Sequence, residues 1–155
     1  MKTIAVNRKA RFNYTILETY EAGLVLTGSE VKSIKIGAVN INDGFCLNKK
    51  GELYLVNVHI SPYKLGGYSN HDPTRDRKLL LHKREIKKII GKITEKSITL
   101  IPLKIYINDK NKIKVEIALA KGKKEYDKRE DIKRREVNIQ ISRYKKEYNR
   151  EFQKI

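Results

Sequence analysis

Short runs of β-forming residues, separated by turn residues, occupy the first 120 residues of this 155-residue chain. In the most regular run, 113–119, isoleucine, valine or leucine alternates with lysine, glutamate or alanine. That alternation has the period of a strand with one buried face. Several such strands have to pair and bury their apolar faces against one another. The pattern predicts a mainly β fold with some α, namely a small antiparallel OB-like β-barrel with flanking helices.

Turn residues separate the predicted strands. The strands are expected at 14–19, 24–26, 41–47, 53–60, 98–107 and 113–119, and residues 78–81 are expected to form a buried strand or the entry to a helix. Glu21-Ala22-Gly23 is expected to form the turn of a first hairpin, between the first two strands. Gly51 supplies the positive φ that the turn at 48–51 needs.

Two segments carry helical signals. Ser29 is expected to cap a short helix that runs to Ile36 and ends at Gly37. The period of residues 82–92 indicates a second helix with one apolar and one basic face. Its apolar face comprises Ile86, Ile89 and Ile90, and its basic face comprises Lys83, Arg84, Lys87 and Lys88.

The loop predicted between residues 61 and 77 contains His71 and Asp72, two residue types that occur in catalytic and metal sites. No HExxH or comparable ligand spacing accompanies them. Asp72 is therefore interpreted as a local turn former beside Pro73. The single cysteine, Cys46, excludes a disulfide framework and is interpreted as a core residue. No acid, base and nucleophile assemble, so we expect a binding protein that is not an enzyme and uses no cofactor or metal.

The chain is strongly basic, with 35 lysine and arginine residues, 18 aspartate and glutamate residues and a net charge of +17. Nucleic acid is the expected partner, because its phosphates present many negative charges at short spacing. No apolar run approaches the ~20 residues of a membrane helix, and tryptophan anchors are absent from the sequence. The first residues lack the apolar stretch of a secretory signal. We therefore expect a soluble, cytoplasmic protein without a membrane partner.

The composition changes after Ala120, which predicts an OB-like RNA-binding barrel at 1–120 and a basic tail at 121–155. No proline follows Pro102 and no glycine follows Gly122. Apolar and aromatic residues then recur at helical spacing: Val137, Ile141, Tyr144, Tyr148, Phe152 and Ile155. Two interpretations stay open. The stripe packs on the barrel as a terminal helix, or the tail is poorly ordered when free and becomes helical on RNA.

Basic residues form three clusters along the chain. They lie before the first strand, at the exit of the long loop and at the end of the barrel. Arginine binds phosphates in a bidentate manner, and both arginine and tyrosine offer flat faces for stacking on bases. The clusters favour an RNA-binding surface, although they do not by themselves distinguish RNA from DNA.

Six motifs stand in the order and spacing of a known family. They are Asn7-Arg8-Lys9-Ala10-Arg11, Glu21-Ala22-Gly23, Gly28-Ser29-Glu30-Val31-Lys32-Ser33, Asn70-His71-Asp72-Pro73-Thr74-Arg75, Arg77-Lys78-Leu79-Leu80-Leu81 and Gly122-Lys123-Lys124-Glu125-Tyr126-Asp127-Lys128-Arg129. From Ile4 to Glu136 the chain resembles the SsrA-binding proteins, also called small protein B.

The resemblance implies an RNA-binding adaptor of bacterial trans-translation. Its OB-like barrel is expected to bind the tRNA-like domain of transfer-messenger RNA (tmRNA, or SsrA). It would deliver alanyl-tmRNA to stalled 70S ribosomes, together with elongation factor Tu. The C-terminal tail would then occupy the decoding site and the empty mRNA channel, against 16S ribosomal RNA. Tagging of the nascent chain and rescue of the ribosome would follow.

The basic clusters and the resemblance together define two sets of candidate site residues. The tmRNA-binding set is Asn7, Arg8, Lys9, Arg11, Glu21, Arg75, Arg77, Lys78 and Lys114. The ribosomal tail set is Gly122, Lys123, Lys124, Tyr126, Asp127, Lys128, Arg129, Lys133 and Arg134. Leu81 falls at a further matching position and is expected to be structural. The chain departs from the family at Phe12, where members often have histidine, and at Val137, where they often have tryptophan.

Three interpretations of Glu21 stay open, because a carboxylate on a surface that faces a polyanion is unusual. It accepts a hydrogen bond from a base amino group or a 2′-hydroxyl, it orients a neighbouring arginine, or it only fixes the hairpin turn.

Two rival functions also stay open. A structural ribosomal or ribosome-assembly protein would accompany all ribosomes, whereas the adaptor would occur only on stalled ones. A nuclease would use Glu30, His71 or Asp72, and its RNA cleavage would be lost on replacement of His71.

Overall fold

The computed structural model describes residues 1–64, 70–95 and 97–123. The chain divides into two units, Met1–Gly122 and Lys123–Ile155. The described part of the first unit is built mainly from strands, with three helices. None of the helices in the described ranges is long and apolar enough to cross a membrane. The expectation of a mainly β fold with some α is therefore confirmed.

Strands and helices follow one another in chain order. The strands are β1 (Lys2–Val6), β2 (Tyr14–Leu24), β3 (Val39–Asn40), β4 (Phe45–Lys49), β5 (Glu52–Val56), β6 (His59–Ile60), β7 (Arg77–Leu80), β8 (Ile98–Ile107) and β9 (Ile113–Gly122). The helices are α1 (Ala10–Asn13), α2 (Gly28–Lys35) and α3 (Lys83–Ile93). Strands β8 and β9 and helix α3 match their predicted positions closely, and of the two alternatives for residues 78–81 the strand is present as β7.

Most of the predicted tail lies outside the described residues. This holds for the apolar stripe that begins at Val137 and for seven members of the tail set: Lys124, Tyr126, Asp127, Lys128, Arg129, Lys133 and Arg134. Of that set, Gly122 is the last residue of β9, and Lys123 follows it. Strand β9 thus continues two residues past Ala120, where the sequence predicted the boundary.

Seven strands form one antiparallel sheet in the order β1-β8-β4-β5-β7-β2-β9, and β3 pairs separately with β6. Strand β9 also pairs with β8 from Ile113 to Lys121. Strand β4 reaches the opposite edge of β8 at a single pair, Cys46 with Leu100. The pairings therefore lead from β8 through β4, β5, β7, β2 and β9 and back to β8, so these six strands form a closed circuit. Strand β1 pairs with β8 on the same edge as β4.

The predicted turn at 21–23 is wrong, because β2 continues through it without interruption. Gly23 pairs with Lys114 of β9 on one side and with Leu80 of β7 on the other. A Cβ at position 23 would lie 3.3 Å from the Leu80 Cβ, a tight contact. The small residues Ala22 and Gly23 therefore permit close approach of three strands, which local turn signals do not reveal.

Helix α2 is capped by Thr27, and the predicted cap at Ser29 is wrong. Thr27 Oγ1 accepts a hydrogen bond from the Glu30 N–H (3.4 Å), and Glu30 Oε1 accepts one from the Thr27 N–H (2.9 Å). Such a reciprocal pair satisfies two backbone donors at the start of a helix. The predicted end is confirmed, because Gly37 follows the helix with a φ of 80°.

The strands predicted at 41–47 and 53–60 are shorter than expected. Asn57 has a φ of 56° and separates β5 from β6, and its Nδ2 donates to the Asp43 carbonyl (2.9 Å). A left-handed residue interrupts the strand ladder, so two short strands replace one. The turn at 48–51 is confirmed, with Gly51 at a φ of 82°.

One apolar core joins residues from all six strands of the circuit to helices α2 and α3. Helix α2 contributes Ile34 and helix α3 contributes Ile89, and both side chains are fully buried. Cys46 lies in the same core, where burial raises the pKa of its thiol. The interpretation of Cys46 as a core residue is confirmed.

Candidate nucleic-acid interface

Strands β2, β9 and β8 carry charged and aromatic side chains on one shared face. Glu21 of β2 lies opposite Glu116 of β9, which lies opposite Lys104 of β8. Paired residues, and every second residue along a strand, lie on the same side of a sheet. The set comprises Glu21, Gly23, Lys104, Tyr106, Lys114 and Glu116, which we call the β2–β9–β8 face.

Glu21 is exposed, and its Oε2 accepts a hydrogen bond from the hydroxyl of the buried Tyr106. Burial and the Glu21 carboxylate together raise the pKa of Tyr106. Glu21 therefore lies in mid-strand beside a tyrosine, so its interpretation as a turn residue is wrong. Its Oε1 receives no hydrogen bond from the described residues and can accept one from a ligand.

Lys104 balances part of the negative charge of this face. Its Nζ lies 3.7 Å from Glu116 Oε2 and 5.5 Å from the centroid of the Tyr106 ring. Side-chain exposure of Lys104 and Glu116 is only 28% and 30%, so water screens the pair less than a fully exposed one. The face consequently mixes one neutralised pair with the carboxylate of Glu21 and the ammonium of Lys114.

The segment after β1 is held beside this face by Asn7. The Asn7 N–H donates to Leu103 O (2.8 Å), and its Nδ2 donates to Pro102 O (2.9 Å). Asn7 is only 8% exposed, so it anchors the segment to β8 more than it faces solvent. No donor among the described residues reaches its buried Oδ1.

The anchored segment presents cations. Arg8 and Arg11 are exposed and line a groove of about 370 Å³ together with Lys104 and Glu116. Lys9, also exposed, lies 3.4 Å from Asp43 Oδ1. The structure thus brings members of the tmRNA-binding set from separate parts of the chain onto adjoining surfaces: Arg8 and Arg11 on one, and the strand residues Glu21 and Lys114 on the other.

A second groove, of about 330 Å³, opens at the other end of the face. Gly23 contributes no side chain to it, so Leu80 and Lys114 approach each other across its floor. Leu80 is 51% exposed although it is a large apolar residue. Lys35 and Lys112 also line the groove, which therefore combines an apolar floor with three cations.

Sequence reasoning missed Lys104, Tyr106 and Leu80. A signal for Lys104 and Tyr106 was present in the sequence. Once β8 pairs with β9, both residues lie on the same side of the sheet as their partners Glu116 and Lys114. Leu80 carried no such signal, since three consecutive leucines do not reveal which of them is exposed. Leu81, expected to be structural, packs against the core.

Glu30 joins two predicted site arginines in a buried cluster. Its Oε2 accepts from Arg77 Nε (2.6 Å), and its Oε1 accepts from Arg75 Nη2. Burial alone would raise the pKa of Glu30, but hydrogen bonds from Arg75, the Thr27 N–H and Arg77 hold it below its usual range. Glu30 lies in the first turn of α2, and the cluster ties that helix to β7.

The burial of Arg77 contradicts its prediction as an RNA contact. Its side chain is 0% exposed, and its guanidinium also donates to Val58 O (2.6 Å) and Pro73 O (3.0 Å). Because it is fully buried among these acceptors, the guanidinium is not accessible to a phosphate. Arg77 is a structural residue that holds the loop at 72–73 against the core.

The neighbours of Arg77 are more accessible. Arg75 is partly exposed, and its Nη2 donates both to Glu30 Oε1 and to Val25 O (3.2 Å). Lys78 lies on the outer side of β7 and pairs with Glu52, which raises the pKa of Lys78. Of the three predicted basic residues here, Lys78 is the one whose side chain can most readily meet a ligand.

His71 is fully engaged in shaping the loop. Its Nε2 lies 2.8 Å from Ile60 O and its Nδ1 lies 2.8 Å from Ser29 Oγ. Because a carbonyl can only accept, Nε2 donates, and in the neutral ring Nδ1 then accepts from the serine hydroxyl. Asp72 Oδ1 accepts from the Thr74 N–H (3.0 Å), as its turn-forming role predicted. Within the described residues, no three His, Cys, Asp or Glu side chains are grouped to hold a metal.

The depressed pKa of Glu30 makes stability sensitive to acid. We expect Glu30→Gln to lower the free energy of unfolding by about 3 kcal/mol at neutral pH, because the buried Arg77 and the partly exposed Arg75 lose their counter-charge. A lowered folded-state pKa contributes stability above the unfolded-state pKa, and that stability is lost as the pH falls through the folded-state value. The difference in the free energy of unfolding between the native chain and Glu30→Gln, measured by urea titration, should therefore become smaller below about pH 4.

The matched control is Glu52→Gln, which removes an exposed carboxylate paired with Lys78. We expect a change below about 1 kcal/mol at every pH, as for other exposed ion pairs. A gap for Glu30→Gln that stays constant on acidification would contradict the role assigned to its charge.

Comparison with known proteins identifies the family. Residues 4–147 match the family model described as SmpB protein. An SsrA-binding protein of Thermosipho africanus is 56% identical over 146 residues, which cover 94% of this chain and 98% of that protein. An SsrA-binding protein of Enterococcus faecalis is 61% identical over 142 residues, 92% of each chain.

A solved structure agrees with these relatives. A chain from a structure of tmRNA-SmpB and the bacterial ribosome matches with a TM-score of 0.65 and 52% identity, over 77% of this chain and 84% of that one. The resemblance to the SsrA-binding proteins is confirmed. The chain, with charges of both signs on its β2–β9–β8 face, belongs to the SmpB family.

Proposed function

We propose that this chain is the RNA-binding adaptor of trans-translation, which binds the tRNA-like domain of tmRNA and delivers alanyl-tmRNA to stalled ribosomes. Membership of the SmpB family is the observation that carries this proposal. The role needs binding and positioning, and no catalytic group of the chain takes part. Its place of action is the cytoplasm, where ribosomes translate.

The circuit of six strands is proposed to be an OB-like barrel, with the β2–β9–β8 face as its tmRNA-binding surface. Arg8, Arg11 and Lys114 would contact phosphates, Arg8 and Arg11 through bidentate hydrogen bonds. The free Oε1 of Glu21 would accept a hydrogen bond from a base amino group or a 2′-hydroxyl. The groove above Gly23 would take an unstacked base or ribose against the exposed side chain of Leu80.

The remaining predicted site residues have supporting roles in this proposal. Asn7 anchors the Arg8 and Arg11 segment. Lys9 and Lys78 would add positive charge at the borders of the tmRNA-binding surface. Arg75 and the buried Arg77 shape the loop through Glu30.

The tail is proposed to act on the ribosome. Its set of residues, which begins at Gly122 and Lys123, would contact 16S ribosomal RNA in the decoding site and the empty mRNA channel. Six lysines and arginines within residues 123–134 supply the charge for such contacts. Elongation factor Tu is proposed as a further member of the delivery complex.

Binding to a transcript of the tRNA-like domain tests this function. The native chain should bind it tightly, with an affinity that falls as salt rises, since each phosphate contact releases counterions. Combined Arg8→Gln and Lys114→Gln replacements should weaken binding by about tenfold at low salt and reduce the log–log salt slope by about 1.5. Fluorescence anisotropy over a series of KCl concentrations measures both quantities.

The matched control carries Lys2→Gln and Lys110→Gln, two exposed lysines outside both candidate sets. It loses the same net charge, so it should retain most of the affinity. Equal affinity of the native chain for unrelated duplex DNA at the same salt would refute the proposed function.

A further inference from the structure

Helix α3 presents a row of cations that the proposed function has not used. Its apolar residues, including the fully buried Ile89, pack into the core. Its solvent side carries two rows at a spacing of four residues, and every member is exposed. One row is Lys83, Lys87 and Gly91, and the other is Arg84, Lys88 and Lys92. Residues four apart are neighbours on a helix, so five cations share one surface, the α3 face.

Few carboxylates neutralise the α3 face. Lys88 lies 3.5 Å from Glu18 Oε2 of β2. Glu18, whose pKa is lowered first by the Tyr20 hydroxyl and then by Lys88 and Lys92, faces this surface from β2, and Glu85 in the first turn is the acid of α3 itself. Within the described residues, Lys83, Arg84, Lys87 and Lys92 form no ion pair. Like charges held this close repel one another, which a polyanion relieves.

Gly91 is the last member of the first row, where it leaves the surface open. A Cβ at this position would meet nothing within 4 Å, and no positive φ requires glycine there. Glycine in a helix interior is less favourable than alanine. Its presence gives an approaching backbone access to the peptide surface between Lys87, Lys88 and Lys92.

We propose that the α3 face is a second RNA-binding surface, which contacts the phosphate backbone of an RNA helix without reading its sequence. The regular spacing of the charges suits a polymer of phosphates more than a single small anion. A membrane is disfavoured, because the apolar side of α3 is buried in the core and cannot insert. The α3 face shares no residue with the candidate tmRNA-binding set. The inference rests on the proposed function, since the adaptor role brings the RNA to this chain.

Charge removal on the α3 face is the first test. Lys83→Gln with Lys87→Gln keeps good helix formers in α3. The double variant should bind RNA about tenfold more weakly at low salt, with a salt slope reduced by about 1.5. The control is again Lys2→Gln with Lys110→Gln. A loss no larger than that of the control, for every RNA tested, would overturn the inference.

Two probes distinguish the sources of the RNA helix. One is a transcript of the tRNA-like domain of tmRNA, measured by anisotropy, and the other is purified 70S ribosomes, measured by co-sedimentation. A selective loss with the transcript assigns the α3 face to tmRNA, and a selective loss with ribosomes assigns it to ribosomal RNA. Either result supports the inference. Failure of the native chain to bind the transcript would instead refute the proposed function.

Charge insertion at Gly91 is the second test and does not endanger the fold. Glutamate and glutamine are both better helix formers than glycine, so both variants should unfold at the same temperature as the native chain or above it. Gly91→Glu should bind RNA at least about fivefold more weakly than Gly91→Gln, since only the former adds negative charge among the phosphate contacts. Equal affinities of the two variants would overturn the inference.

Discussion

Replacement of Arg77 by alanine should lower the free energy of unfolding of the first unit by about 3–5 kcal/mol. The reason is the charge left behind, because Glu30 is 0% exposed and would lose its Arg77 partner inside the core. The carbonyls of Val58 and Pro73 would lose their donor as well. Urea unfolding followed by circular dichroism measures the change.

The neighbouring Lys78→Ala is the matched control. Lys78 lies on the same strand, but its ion pair with Glu52 is exposed by 41% and 46% on the two sides. An exposed pair contributes about 1 kcal/mol or less, so this variant should remain close to the native chain. Arg77→Lys keeps the charge but loses the fork of donors, and its stability should fall between the two. Similar losses for Arg77→Ala and Lys78→Ala would contradict the structural role of Arg77.

Truncation after Lys123 should abolish peptide tagging on stalled ribosomes and leave binding of the tRNA-like transcript largely intact. The position of the cut matters, because Lys121 pairs with Thr15 and Gly122 pairs with Tyr14 in the β2–β9 ladder. A cut after Ala120 would remove both pairs and confuse loss of the tail with damage to the sheet. Tagging in a reconstituted translation system and anisotropy with the transcript measure the two activities separately.

Point variants in the intact chain refine this test. Lys128→Ala with Arg129→Ala should reduce tagging strongly, since these residues are proposed to meet ribosomal RNA. Lys145→Ala with Lys146→Ala removes equal charge from the last part of the tail, which the family motifs specify poorly, and should reduce tagging less. Loss of transcript binding in the truncated chain would show that the proposed division of labour between barrel and tail is wrong.

Local patterns in the sequence predicted the elements that depend on neighbouring residues. The alternation in β9, the period of α3 and the turn at Gly51 are all local features, and all three are present. The turn predicted at 21–23 is absent because Ala22 and Gly23 lie in a strand that packs closely against strands distant in the sequence. A small residue selected for close strand approach and one selected for a turn look the same in a single sequence.

The candidate site was predictable in its charges and not in its partners. Arg77 resembles the other basic residues until Glu30, 47 positions earlier in the chain, is found beside it. Glu21 likewise finds its hydrogen-bond donor 85 positions away, at Tyr106. Contacts at such separations depend on the strand order, which periodicity alone does not determine.

The cluster around Glu30 has a consequence for the speed of recognition. Through Arg77 it connects α2, β7 and the carbonyl of Pro73, so this part of the loop is already shaped before any RNA arrives. A preformed surface surrenders little conformational freedom on association. Diffusion and long-range electrostatic attraction should then set the rate of association with tmRNA. The association rate constant should fall steeply with ionic strength, and the observed rate should rise with RNA concentration without reaching a plateau.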